Sequence, residues 1–98
     1  MRIHWSPLAL AKVNEIIDYI ARDRPMAAER WAVGVFDLVE RLARSPKRGR
    51  VVPEAGREEI RELLYGQYRI IYRVEEGSVS ILTVRHGRRL LDLEEIEG

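Results

Sequence analysis

The chain has 98 residues, 46% hydrophobic and 34% charged, which supplies one modest core and one domain over residues 1–98. It has no cysteine and two widely separated histidines, His4 and His86, so disulfide frameworks and thiolate or histidine metal sites are excluded; no metal and no cofactor is expected. By itself the formal charge of +1 predicts no polyanion partner; no apolar run approaches a membrane span, the start "MRIHWSP" lacks a signal core, and the lack of cysteine fits a reducing cytosol, so a cytoplasmic protein is expected.

In chain order, "RIHW" reads as a short strand. Ser6 and Pro7 then open a helix, serine as cap and proline at the first helical position. Leu8, Val13, Ile16, Ile17 and Ile20 recur at helical spacing. Pro25 starts a second helix with Asp23 as its expected cap, and Ala28, Trp31, Val35, Leu38 and Leu42 carry its seam to about Arg44. Gly34 costs that helix roughly 1 kcal/mol, which close approach of the first helix would offset. "SPKRGRVVPEAG", with two prolines and two glycines, is the one long loop.

The period then changes from helical to two. "REEIRELLY" is ambiguous by composition, but Gly66 before Tyr68 makes residues 60–65 a strand. "YRIIYRVEEGSVSILTVRH" is a hairpin turning at "EEGS", with Tyr68, Ile70, Tyr72 and Val74 on one face and Arg69, Ile71 and Arg73 on the other. "LLDLEEIE" has the pattern of a short acidic amphipathic helix whose Leu90, Leu91 and Ile96 need a surface to cover. The order β-α-α-β-β-β predicts an α+β two-layer fold, an N-terminal strand and helical hairpin on an antiparallel sheet, with the second sheet face open to solvent or a partner.

Charge is segregated. "RLARSPKRGR" and "RHGRR" are basic and the tail "DLEEIEG" is acidic. A carboxylate, a guanidinium and an imidazole in one groove could cleave a phosphodiester. Glu54 would take a proton from a ribose hydroxyl, Arg69 would stabilise the phosphate, and His86 would protonate the leaving oxygen. Beside this stands a plainer account. Arg69 pairs with Glu58, Glu59 or Glu62; His86 is a hydrogen-bonded strand-end histidine; Arg41, Arg44, Lys47, Arg48 and Arg50 are cations at a helix C-terminus; Trp5 and Trp31 are core.

"YRIIYRVEEGSVSILTVRHGRR" resembles the last two strands of RelE/ParE family toxins of bacterial type II toxin–antitoxin modules. "IIDYIARDRPMAAER" and "RGRVVPE" resemble the helix hairpin and loop of the ParE branch. The resemblance implies the same two-layer fold and a cognate antitoxin that neutralises the toxin in a hetero-oligomer, as in plasmid-stabilisation modules. It also implies one of two target classes. ParE-like members bind DNA gyrase, whereas RelE- and YoeB-like members cut mRNA on the ribosome. Glu54 after Pro53, Arg69 before "IIY" and His86 match the YoeB-like catalytic positions, and Arg88 and Arg89 match the RelE-like basic pair. However, "IRELL" lacks RelE's lysine pair and no tyrosine comes after "HGRR". The long hairpin and these departures favour the ParE branch, with Arg61, Arg85, Arg88, Arg89, Arg48 and Arg50 expected to form the target-binding surface. A degenerate member kept only as an interaction module is the bland alternative.

Overall fold

Ser6 and Pro7 open the first helix as their chemistry dictates. In the computed structural model, which describes residues 1–87 and 91–97, the Ser6 hydroxyl accepts from the Ala9 N–H at 3.0 Å and Pro7 begins the helix. The same hydroxyl donates to the Leu82 carbonyl at 2.9 Å, tying the cap to the sheet. Helix α1 spans Pro7–Ala21; α2 spans Pro25–Glu40 and ends in a 3-10 turn over Arg41–Ala43. Asp23, the expected cap of α2, does not cap it: Arg24 stands at that position and no side chain bonds there. The N–H groups of Asp23 and Arg24 both donate to the Ile20 carbonyl, so Asp23 still belongs to the end of α1. Among the described residues no helix is long and apolar enough to cross a membrane.

The strands are β1 (Arg2–Trp5), β2 (Arg50–Val51), β3 (Ile60–Tyr65), β4 (Tyr68–Glu75) and β5 (Ser78–His86), in the sheet order β1-β5-β4-β3-β2. The fold is α+β, the two helices covering one sheet face. β2 to β5 are antiparallel; β1, whose neighbour the sequence left open, lies parallel to β5. Two-residue turns join β3 to β4 and β4 to β5, and Gly66 and Gly77 supply the positive φ values, 58° and 76°, that such turns need.

The alternation of β4 holds. Ile70 and Tyr72 are buried under the helices with Ala9, Val13, Val35, Val39, Leu42 and Leu63. Leu8, placed on the α1 stripe by spacing, is exposed, and Ala9 takes the inward position. β5 does not alternate throughout. Ile71 pairs with Thr83 and Tyr72 with Ile81, leaving Leu82 as an extra residue in a β-bulge. Beyond the bulge the parity is reversed, so Val84 joins Val79 and Ile81 under the helices while Leu82 points the other way.

Two glycines answer to packing. A Cβ on Gly34 would lie 1.8 Å from the Tyr65 hydroxyl, so the close neighbour is the sheet and not α1 as expected. A Cβ on Gly49 would lie 2.3 Å from the Glu62 carbonyl oxygen. Gly49 also donates its N–H at 2.9 Å to the Tyr72 hydroxyl, which donates to Pro46 O at 2.8 Å and pins the loop to β4.

The second sheet face is not open. Val52, Ile60, Ile71 and Leu82 form a separate apolar strip, and Leu91 and Ile96 of the C-terminal segment bury themselves on it. The last turn is α3, Leu93–Glu97.

Candidate functional site

Because β3 and β4 alternate, Glu62 and Arg69 emerge on the face away from the helices, beside the loop that carries Glu54. There they form one network. Arg69, 6% exposed, donates through Nη1 and Nη2 to both oxygens of Glu54, at 2.7 and 2.8 Å, and through Nε to Glu62 at 2.5 Å. Glu62, 1% exposed, accepts at its other oxygen from Arg50 Nε at 2.5 Å. The Leu91 N–H donates to Glu54 at 3.1 Å. Two guanidinium groups and two carboxylates therefore cancel in charge. The Arg69 hydrogen bonds, helped by the Leu91 N–H and opposed by burial, hold the Glu54 carboxyl at about 2 instead of 4.5. The same contacts, Glu54 first, raise Arg69 above its ordinary value against the effect of burial.

His86 lies across from Tyr68 in the β4–β5 register and so takes the helix side of the sheet. Its ring meets Tyr68 edge-on at 5.6 Å, and Nε2 is 3.3 Å from the Gln67 amide oxygen. A groove of about 370 Å³ wraps the end of the β4–β5 pair, lined by Glu54, Arg69 and His86 together with Arg50, Pro53 and Gln67. The three residues matched to nuclease positions thus border one groove, with Glu54 and Arg69 locked to each other.

The remaining candidates are dispersed. Arg61 is largely buried, donates to the Gly49 carbonyl at 2.9 Å and stands 3.5 Å from Glu58. Arg85 pairs with Glu95. Arg48 is exposed in the loop, and Arg50 keeps much of its side chain in solvent despite its bond to Glu62. Arg88 and Arg89 lie outside the described residues. Among the described residues the expected convergence of free guanidinium groups on an uncovered face is not met: Arg50, Arg69 and Arg85 share that face and each carries an acid. The plainer account of the sequence named Glu62 as a partner of Arg69, as found, but missed the pairing of Arg69 with Glu54 and the reach of Glu95. Leu91 and Ile96 were the available signal, since apolar residues in an acidic tail require a surface. Among the described residues, no group of three or more His, Asp or Glu side chains is arranged to hold a metal ion.

A family model described as the ParE toxin of type II toxin–antitoxin systems, parDE, matches residues 3–91. The chain belongs to this family. It is the toxin component of a type II toxin–antitoxin module. Toxin RelE2 of Caulobacter vibrioides is 36% identical over 89 residues, covering 91% of this chain and 98% of its own length. The Y4kP protein of Sinorhizobium fredii is 38% identical over 91 residues and 90% of both chains. The fold of this ParE-family chain is also that of a chromosomal ParDE system from P. aeruginosa, with a TM-score of 0.74, 20% identity and coverage of 88% of this chain and 95% of that one. The toxin–antitoxin complex RelBE2 of Mycobacterium tuberculosis has the same fold at a TM-score of 0.63, with 23% identity and coverage of 87% and 88%.

Proposed function

We propose that this toxin acts in the cytoplasm by binding its target and not by cutting RNA, that the target is DNA gyrase, and that a cognate antitoxin neutralises it in a hetero-oligomer. The observation that carries this reading is the neutral Glu54–Arg69–Glu62–Arg50 network. A general base works best with a pKa near the operating pH. A carboxylate held at about 2, with both oxygens on one guanidinium, is a poor proton acceptor. Arg69 spends Nε, Nη1 and Nη2 on carboxylates, which leaves little net charge to offer a phosphate. Arg48 and the exposed part of Arg50, with Arg88 and Arg89, are the residues proposed to meet an acidic target surface. The antitoxin would cover the outer face of the helix hairpin, where Tyr19, Met26 and Val33 are exposed. The module names of the two structural relatives support such a partner.

Ribosome-dependent mRNA cleavage is the second reading, and the common groove of Glu54, Arg69 and His86 favours it. Induction of wild type and His86→Gln in bacteria, with plasmid supercoiling and global translation monitored in parallel, separates the two. The gyrase reading expects lost supercoiling with both proteins. Translation arrest that disappears with His86→Gln, while supercoiling stays normal, would overturn it.

A further inference from the structure

The basic segment 41–50 is only partly used by the readings above. Arg50 is bound to Glu62, but Arg41, Arg44, Lys47 and Arg48 are exposed, and no acidic residue stands between them. Their position at a helix C-terminus explains little. Backbone groups close the end of α2: the Arg41 N–H donates to the Leu38 and Val39 carbonyls, and the Arg44 and Ser45 N–H groups donate to the Arg41 carbonyl. The helix dipole fades within the last turn and does not reach Lys47 or Arg48. Among the described residues Arg41, Arg44 and Arg48 form no ion pair. Lys47 stands 3.9 Å from a Glu58 side chain that is 75% exposed, a contact worth little in water.

The turn that carries these cations is held from beneath. The Arg48 N–H donates to the Ser45 carbonyl at 3.1 Å, the buried Tyr72 hydroxyl bridges Pro46 and Gly49, and Arg61 donates to the Gly49 carbonyl. In a 3-10 turn residues i and i+3 eclipse, which sets Arg41 and Arg44 in one row about 6 Å apart along the axis. We infer that Arg41, Arg44 and Lys47 form a docking surface for the phosphate backbone of duplex DNA, bound without regard to sequence. A protein partner would need an apolar centre to the interface, and none of the exposed large apolar side chains falls within residues 41–58. A single strand would need aromatic platforms for its bases, and the same segment has no aromatic residue. Regularly spaced phosphates ask only for fixed cations, and such contacts carry no sequence information. A turn already held in place loses little freedom on binding. Arg41, Arg44 and Lys47 do not line the groove of Glu54, Arg69 and His86, and the surface does not depend on the gyrase reading.

The test is fluorescence polarisation of the full-length protein with a short labelled DNA duplex of mixed sequence, across a salt series and without gyrase. Three phosphate contacts predict a log–log salt slope of about −3, roughly −0.9 for each. Arg41→Gln with Arg44→Gln is expected to weaken binding roughly tenfold at low salt and to reduce the slope by about two. Arg24→Gln with Arg30→Gln changes the net charge equally at two exposed positions and is expected to alter neither. All four side chains are exposed, so both variants are expected to keep the wild-type circular dichroism. Poly-L-glutamate is expected to compete much less well than unlabelled duplex. No binding at low salt overturns the proposal, as does an equal loss in the two double variants, which would make net charge the cause. Equal competition by poly-L-glutamate, or tighter binding of single-stranded DNA or an RNA duplex, overturns it in favour of a different partner.

Discussion

The two faces of the sheet are held by different forces. Under the helices the contacts are almost wholly apolar: Ile70, Tyr72, Ile81 and Val84 meet Ala9, Val13, Val35 and Val39. On the opposite face a smaller apolar strip stands beside a network of four charged groups, two of them almost fully buried. The first face stabilises by area removed from water and tolerates volume-conserving change. The second depends on completeness, because a buried charge that loses its partner costs more than the pair contributed. Here the members of a charged cluster under a family motif pair with one another.

Arg69→Ala breaks this comparison most directly. It leaves the buried Glu62 with Arg50 alone and Glu54 without a guanidinium, and is expected to destabilise by about 3–5 kcal/mol, measured by urea unfolding. Arg69→Met with Glu62→Leu is expected to recover most of that loss. The same network fixes the acid limb. Because the folded Glu54 value lies below 4.5, its stabilisation is full above pH 4.5 and is lost as pH falls toward 2. Glu54→Gln is expected to flatten the unfolding free energy across that window; an unchanged slope would show that Glu54 contributes nothing there.

Tyr72→Phe tests the apolar face at one of its polar ties. It leaves the Gly49 N–H and the Pro46 carbonyl without their hydroxyl partner and is expected to cost about 1–3 kcal/mol. Hydrogen exchange should rise at Gly49 and not in α1. The smallest effect is expected from Ser6→Ala, which removes a helix cap and the bond to Leu82, at about 1 kcal/mol in thermal unfolding.

Periodicity made the helix face legible. The alternation of residues 68–74 and the seam through Ala28, Val35 and Leu42 both arrived where their spacing placed them. Gly66 correctly marked the bend before Tyr68, which placed residues 60–65 of the ambiguous "REEIRELLY" in a strand. Strand ends and the proline-bounded loop were enough to bring Glu54, Arg69 and His86 towards one groove. What spacing could not convey was pairing: Glu62, Glu54 and Arg50 lie seven to nineteen residues from Arg69, and nothing local says that their charges cancel. Nor could it locate the bulge at Leu82, since one unpaired residue leaves composition unchanged and only re-phases the positions beyond it. The covered second face was signalled by Leu91 and Ile96, but the sequence does not say which surface they choose.

The spare residue at position 82 separates the wiring of the two ends of β5. Upstream of it, Val79 and Ile81 keep step with the core; downstream, Val84, Arg85 and His86 are set by the extra half-turn of pleat. A single-residue deletion at Leu82 would join Ile81 directly to Thr83 and make the ladder regular, keeping Val84 under the helices and Arg85 beside the acidic tail while removing one apolar side chain from the second face.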